Sequence, residues 1–483
     1  MKRKKQGIFC ILSALFFSFS SCVAAPTSSL EKPPQTSPTT YVLREETDVN
    51  GHRAVYYSDG TFQDVGRAVP LDFSPSAARE KYGYQYFSAN EEKGEGLCKL
   101  YEATVSFLGD FHRSDKDIAE KNGTYTVGSV NYAQYGLTRE EATAVWKLVY
   151  TEYPEFFWLK NQVRYDSKNL SFLTVSEYAT AESRAQTQAA IEAAARECDD
   201  YFSVYDSETE RALVIYEYLL TTLTYAYEED GKTPQDDRWA HSVAGTGTHR
   251  SGVCETYAKT FDFFCDLFAL ECITISGEGV HGESSGGHAW NVVKIDGAWR
   301  AVDATWADRE EMYREWFGVP ASEFAQTHVA STPADGWGVD YQFGLPEISE
   351  ERLFPVRLTE NGKDLGMYAS VDSALKKMTN EGSRYEITLQ ADTSVTAKGK
   401  LHIGKVEFDA AATPKAASLK IIGRRSEEGT QTELVAKNAL ALRCPLTVEN
   451  LSFTLPALTE NGFTLIKLGE NTEITIGKRE NGV

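Results

Sequence analysis

Asp296-Gly297 separates two strand-like runs, Ala289 to Ile295 and Ala298 to Val302, and a two-residue turn of this type fixes the register of a β-hairpin. With Ile295 opposite Ala298, counting back sets Trp290 opposite Asp303. His288 lies two residues from Trp290 on the same strand face, which makes it a diagonal neighbour of Asp303. Such neighbours are roughly 7–8 Å apart at the backbone, within reach of a carboxylate–imidazole hydrogen bond. Asn291 falls on the opposite face. A chain that folds into this hairpin must bring an acid and a histidine together.

Upstream, Ser251 and Gly252 interrupt a loop, and Cys254 through Leu270 reads as an amphipathic helix. Tyr257, Phe261, Phe264, Cys265 and Phe268 fall on one broad apolar face. With Ser251 or Gly252 as cap, Cys254 lies in the first turn, where backbone N–H groups and the helix dipole favour thiolate over thiol. A thiolate attacks an acyl carbon, an imidazole carries the proton, and a carboxylate holds the ring. Cys254, His288 and Asp303 are therefore the candidate catalytic residues. Singly, each also reads as ordinary structure: a buried thiol, a strand-end histidine, a turn carboxylate. Their joint order and compatible register point to chemistry. Trp290, Trp299 and Trp306 are expected either to shield the His–Asp pair from water or to pack in the core.

Three blocks carry these residues: Gly252-Val253-Cys254-Glu255-Thr256-Tyr257-Ala258, Gly287-His288-Ala289-Trp290-Asn291 and Val302-Asp303-Ala304-Thr305-Trp306. From about Ala240 to His328 the chain resembles the transglutaminase-like superfamily of papain-type cysteine enzymes. The resemblance implies an α+β papain-like core, a Cys254–His288–Asp303 triad, and Tyr257, Trp290 and Trp306 lining the site. His328 matches a histidine that often follows the core in relatives and is read as structural. Thr256 stands where many relatives have glycine. Gly245-Thr246-Gly247-Thr248-His249-Arg250 replaces a more apolar lead-in and should border the cleft. The Cys254 N–H is one oxyanion donor; the second is unassigned.

His241, His249 and His281 also flank the motifs, but no metal-ligand spacing is present, so no metal is expected. With no phosphate loop or dinucleotide fingerprint either, no cofactor is expected. A net charge of −21 opposes nucleic-acid binding, which needs a cationic footprint.

Met1-Lys2-Arg3-Lys4-Lys5 followed by the apolar run Ile8 to Phe19 reads as an export signal, too short to span a bilayer comfortably. Phe19-Ser20-Ser21-Cys22 resembles a lipobox in which Cys22 is lipidated; cleavage after Ala25 is the alternative. The expectation is a membrane-anchored lipoprotein, periplasmic or at the cell surface, or otherwise a secreted protein. The remaining six cysteines are too scattered for a disulfide scaffold.

The chain reads as multidomain α+β: signal 1–22, flexible linker 23–42, a mixed α/β region 43–174, a papain/transglutaminase-like core 175–345, and an all-β segment 346–483. Helices are expected over Glu92 to Leu108, Thr138 to Tyr150 (opened by a Thr138–Glu141 capping box), Glu182 to Tyr201 and Glu208 to Leu223. Asp230 to Arg250 reads as a long polar connection. In the last segment, short β runs with Asn and Gly at corners resemble a parallel β-helix; a β-sandwich is the alternative.

Two functions follow as expectations. The first is a cysteine enzyme acting on protein or peptide amides, including cell-wall peptides, by hydrolysis or by transfer to an amine. The second is a catalytically silent surface binding or scaffold protein that uses the same domains for recognition.

Overall fold

The computed structural model describes residues 40–282, 284–308, 316–331, 345–354, 356–368, 370–389, 393–395, 401–403, 405–423, 431–458 and 466–476. They fall into two compact units. The first, Met1–Pro70 with Ser203–Tyr205, holds an antiparallel sheet of β1 (Val42–Thr47), β2 (His52–Tyr57) and β3 (Phe62–Arg67). Asp64 accepts the N–H of Val204, and Asp48 that of Tyr205.

The second unit, Leu71–Phe202 with Asp206–Val483, begins with α1 (Tyr82–Ser88) and α2 (Gly94–His112). A sheet of β4 (Glu120–Lys121), β5 (Thr124–Asn131), β6 (Leu159–Tyr165) and β7 (Asn169–Thr174) follows, in the order β4-β5-β7-β6, with α3 (Arg139–Glu152) inserted after β5. The expected capping box opens α3: Thr138 accepts the Glu141 N–H at 3.2 Å, and Glu141 accepts that of Thr138 at 2.7 Å. Tyr153, Phe156, Phe157 and Trp158 are all buried, so this aromatic block is packing.

Next come α4 (Ala181–Asp199), α5 (Glu208–Thr222), a short parallel pair β8 (Thr224–Tyr225) and β9 (Ser251–Gly252), and α6 (Cys254–Leu267). Helices α5 and α6 pack on a five-stranded antiparallel sheet. Its strands are β10 (Cys272–His281), β11 (Ser284–Ile295), β12 (Ala298–Val302), β13 (Phe317–Val319) and β14 (His328–Ala330), in the order β13-β12-β11-β10-β14. Two one-turn helices join it, α7 (Ala304–Ala307) and α8 (Ala321–Phe324). The hairpin has the expected register, Ile295 opposite Ala298. Asp296 and Gly297 have φ of 51° and 79°, the pair of positive values a type I′ turn requires.

Helix α6 differs from its sequence reading. Val253, not Ser251 or Gly252, is the cap, and its side chain makes no capping bond. The helix is also not half-exposed: every residue from Thr256 to Cys265 is buried, because α5, α7 and strands β10 and β11 all pack against it. Its buried polar side chains therefore need partners. Thr260 pairs with Thr246 at 2.7 Å, Asp262 with Thr274 at 2.8 Å, and Lys259 with Glu255 at 2.6 Å. Lys81, just before α1, bonds Asp266 near the far end of α6. Burial, opposed by Lys81, raises the Glu155 carboxyl beside this pair to about 7.

Helix α6 stops at Leu267 rather than Leu270. The Leu270 N–H reaches back to the Cys265 carbonyl at 2.8 Å and the Ala269 N–H to Asp266 at 3.4 Å, with Ala269 at φ 55°. This is a Schellman ending with alanine at the left-handed position that glycine usually fills.

The remaining residues run through β15 (Val356–Glu360), β16 (Lys363–Tyr368), α9 (Val371–Lys377), β17 (Arg384–Leu389), β18 (Thr393–Val395) and β19 (Leu401–Ile403). Then follow β20 (Lys405–Phe408), β21 (Ser418–Ile422), β22 (Thr432–Ala436), β23 (Leu446–Glu449), β24 (Leu451–Leu455), β25 (Ile466–Leu468) and β26 (Glu473–Ile476). From β20 onward the chain alternates between two sheets whose ladders are parallel, β17-β21-β23-β25 and β20-β22-β24-β26. Leu419 and Leu446 stack in register and are buried, as are Leu434 and Phe453. Asn450 and Asn471 turn the chain at φ 54° and 50°, and the Asn471 amide donates to Asn450 at 3.2 Å. Asparagine tolerates that backbone region better than other non-glycine residues. One buried apolar cluster runs from Phe87 to Met367, and a second from Val356 to Leu455.

Because a Cβ at positive φ costs roughly 1–2 kcal/mol, Ala269→Gly should stabilise the protein by about 1 kcal/mol. The check is a rise in the urea midpoint at constant m-value.

Candidate active site

Cys254 is the first residue of α6, and its position is fixed by what surrounds that helix start. The Val253 N–H donates to the Ala240 carbonyl at 2.9 Å, and Thr256 donates its hydroxyl to Ala240 at 2.6 Å and Ser242 at 3.1 Å. Thr256 also fills the space above Gly252, where an added Cβ would sit 2.3 Å from its side chain. The departure at Thr256 thus has a structural use: its hydroxyl ties the incoming loop to the helix. Glu255 is half-buried and bonded to His241 Nδ1 at 3.0 Å. Burial opposes its charge, but Lys259, His241 and Arg238 hold its carboxyl far below the ordinary range.

The segment expected as a long polar connection is half buried. Arg238–His241 forms a 3₁₀ turn and Gly245–His249 a π turn, with Ala240, Val243, Ala244, Gly245 and Thr246 all buried. His249 stacks on Trp239 at 3.9 Å. The His281 side chain lies outside the described residues.

His288, on β11, and Asp303, immediately after β12, meet as the hairpin register requires: His288 Nε2 is 2.7 Å from Asp303 Oδ2. Both side chains are buried. Asp303 also caps α7, with Oδ1 accepting the N–H groups of Thr305 at 2.8 Å and Trp306 at 3.0 Å. Oδ2 takes a further bond from His328 Nε2 at 3.1 Å, while His328 Nδ1 pairs with the Thr327 hydroxyl at 2.9 Å. His328 is thus a second imidazole on the same carboxylate, a link that no local sequence pattern announces. Among the described residues, His288, Asp303 and His328 are the group whose ligating atoms lie close enough to share a metal ion, within 4.8 Å. Here both imidazoles are already engaged with the carboxylate.

An aromatic wall encloses the pair. The His288 ring stacks on Trp306 at 5.2 Å and lies 6.1 Å from Trp290. Trp316 and Phe324 close over His328 at 5.5 and 3.7 Å. Trp299 is not part of this wall, because its ring meets Tyr82 edge-on at 5.8 Å. Gly277 on β10 lets Trp290 lie flat, since an added Cβ would come 2.5 Å from the indole. Tyr257 is buried and donates its hydroxyl to Asp308 at 2.7 Å. Asn291, on the opposite strand face, bonds the Ala258 carbonyl at 3.0 Å and so holds the sheet against α6.

Charge follows geometry. Burial disfavours imidazolium, but Asp303, with help from the adjacent Cys254 thiol, raises His288 to about 10. Burial likewise disfavours the Asp303 carboxylate, yet His288 and then His328 lower it to about 2. A thiol, a proton-holding ring and a buried acid therefore stand in sequence at one helix start.

Residues 196–304, which include all three side chains, match the family model Transglut_core, the transglutaminase-like superfamily. The chain carries a transglutaminase-like domain. It is 29% identical over 108 residues to the kyphoscoliosis peptidase of Mus musculus, covering 21% of this chain and 16% of that protein. To the Homo sapiens kyphoscoliosis peptidase it is 38% identical over 61 residues, covering 11% and 9%. The chain thus spans less than a fifth of the length of either relative. Among solved structures, a TGase crystal structure aligns at 13% identity and TM-score 0.23 over 30% of this chain and 44% of its own. A candidate cysteine protease from Cytophaga hutchinsonii aligns at 23% and 0.19, over 25% and 38%.

The His288 contribution to stability has a defined pH window. Its folded value lies above the unfolded value of about 6.5, so the contribution is complete below that pH and disappears as pH rises through about 10. The stability gap between wild type and His288→Gln should narrow across that window in urea melts; a gap constant from pH 6 to 10 would contradict the assignment.

Proposed function

We propose that this protein is an exported, lipid-anchored cysteine enzyme that transfers or hydrolyses acyl groups of protein or peptide amides. The observation that carries the reading is the buried 2.7 Å bond between His288 and Asp303 beside a thiol at a helix start. Cys254 is the nucleophile, His288 accepts and returns the proton, and Asp303 orients and charges the ring. The sulfur attacks the carbonyl carbon, the amine departs with a proton from His288, and an acyl-enzyme remains. Water then completes hydrolysis, or an amine completes transfer. Tyr257, Trp290 and Trp306 support the site. The peptidase names of the two partial relatives agree with amide chemistry.

We read the parallel ladders after β17 as a parallel β-helix that presents substrate-bearing surfaces, cell-wall peptide among them, to the core. The anchor is Cys22, which lies outside the described residues. Among those residues no helix is long and apolar enough to cross a membrane. Cys22→Ser should move the protein from the membrane fraction to the soluble one and abolish labelling by an alkyne fatty acid; unchanged partition removes the anchor.

Cys254→Ala should abolish covalent labelling by an activated acyl probe. Asp303→Asn should lower acylation by about 10²–10⁴-fold and move the alkaline limb of the pH profile down from about 10, because the carboxylate that raises His288 is gone. Equal labelling of wild type and Cys254→Ala would leave the silent recognition protein as the better reading.

A further inference from the structure

We propose that the Tyr225 hydroxyl is the second oxyanion donor of this site, paired with the backbone N–H of Cys254. The inference rests on the reading of Cys254 as nucleophile and deepens it. Attack on an amide places negative charge on the carbonyl oxygen, and donors aimed at that oxygen supply much of the rate enhancement in acyl transfer. The helix provides one donor: among the described residues, no backbone carbonyl accepts the Cys254 N–H, which is directed at the Tyr225 phenol oxygen instead.

The neighbouring chain provides the other. The parallel pair of β8 and β9 sets Tyr225 in register with Gly252, two residues before the nucleophile. The Ala226 N–H donates to the Gly252 carbonyl at 3.0 Å, and the Thr224 N–H to Arg250 at 3.2 Å, so the strand is held on both sides of Tyr225. The ring packs with Trp239 against buried Ala226, Ala240 and Val253, and Tyr227 lies 5.0 Å away on the outer side. In the resting site the phenol oxygen accepts the Cys254 N–H, so a carbonyl oxygen entering between them takes over that N–H, with the thiol and Asp303 within electrostatic range. Tyr225 is only half-buried, and among the described residues no side chain accepts its proton. Burial, followed by the charges of Cys254 and Tyr227, holds the phenol above its ordinary range, so it stays an O–H donor while the thiol works.

In the step itself, the sulfur–carbon bond forms and the carbonyl π pair moves onto oxygen. That oxygen takes hydrogen bonds from the Cys254 N–H and the Tyr225 O–H, and the tyrosine keeps its proton. When the pair returns, the carbon–nitrogen bond breaks and the amine leaves with the proton from His288. Tyrosine at this position is invisible to a motif search, because it lies 29 residues before the cysteine and is brought there only by the β8–β9 pairing.

The test compares two reactions of Cys254 in the full chain. Acylation by 4-nitrophenyl acetate passes through an oxyanion, whereas alkylation by iodoacetamide displaces iodide at a tetrahedral carbon and needs no such donor. Tyr225→Phe should slow acylation by about 10²–10³-fold and leave alkylation within about twofold. Acylation at the wild-type rate overturns the role of Tyr225 alone. A parallel fall in both rates also overturns it, placing the hydroxyl in service of the thiol or the fold. A wild-type Cys254 that alkylates but never acylates overturns the nucleophile reading and Tyr225 with it.

Discussion

The carboxylate of Asp303 is the point on which the site turns. Buried among Trp290, Trp306, Trp316, Phe324 and two histidine rings, an unpaired charge there would be costly. Four hydrogen bonds offset that cost: two backbone N–H groups of α7 on one oxygen and two imidazoles on the other. One side chain therefore closes a hairpin, starts a helix and fixes the tilt of His288. The low-dielectric wall that makes the charge expensive also strengthens its pull on the imidazole, which is why His288 holds its proton so far above neutrality.

The other half of the site depends on α6 being immobile. A helix covered on all faces cannot rotate without breaking polar contacts in the interior. Thr256, Thr260 and Asp262 each hold a different neighbour, and Lys81 holds Asp266 towards the far end. At the active end, Glu255 ties the loop of His241 to the residue next to Cys254. The loop before Cys254 is thus part of the packed framework, with Thr256 and Gly252 meeting in close contact.

Legibility in the sequence varied with how local the determining interaction was. The hairpin was readable from Asp296-Gly297 because turn chemistry and strand alternation leave one register, and that register alone predicts His288 beside Asp303. The Thr138–Glu141 box was readable for the same reason. The cap of α6 and its burial were not: apolar spacing predicts one covered face, and the polar residues Thr256, Thr260 and Asp262 read as solvent-facing until their partners from distant segments are known. Trp299 and Trp316 show the same limit, since strand position cannot say which indole reaches the site.

What the sequence by itself determined is a helix that begins near Cys254 and the strand pairing that joins an acid to a histidine. Only the tertiary structure decided that His328 shares that acid, that Tyr225 pairs with Gly252 just before Cys254, and that the chain after β20 alternates between two parallel ladders. Local geometry is written in spacing and turn residues, whose energies act over a few positions. Contacts between residues tens of positions apart depend on how whole elements pack, and no short pattern records that.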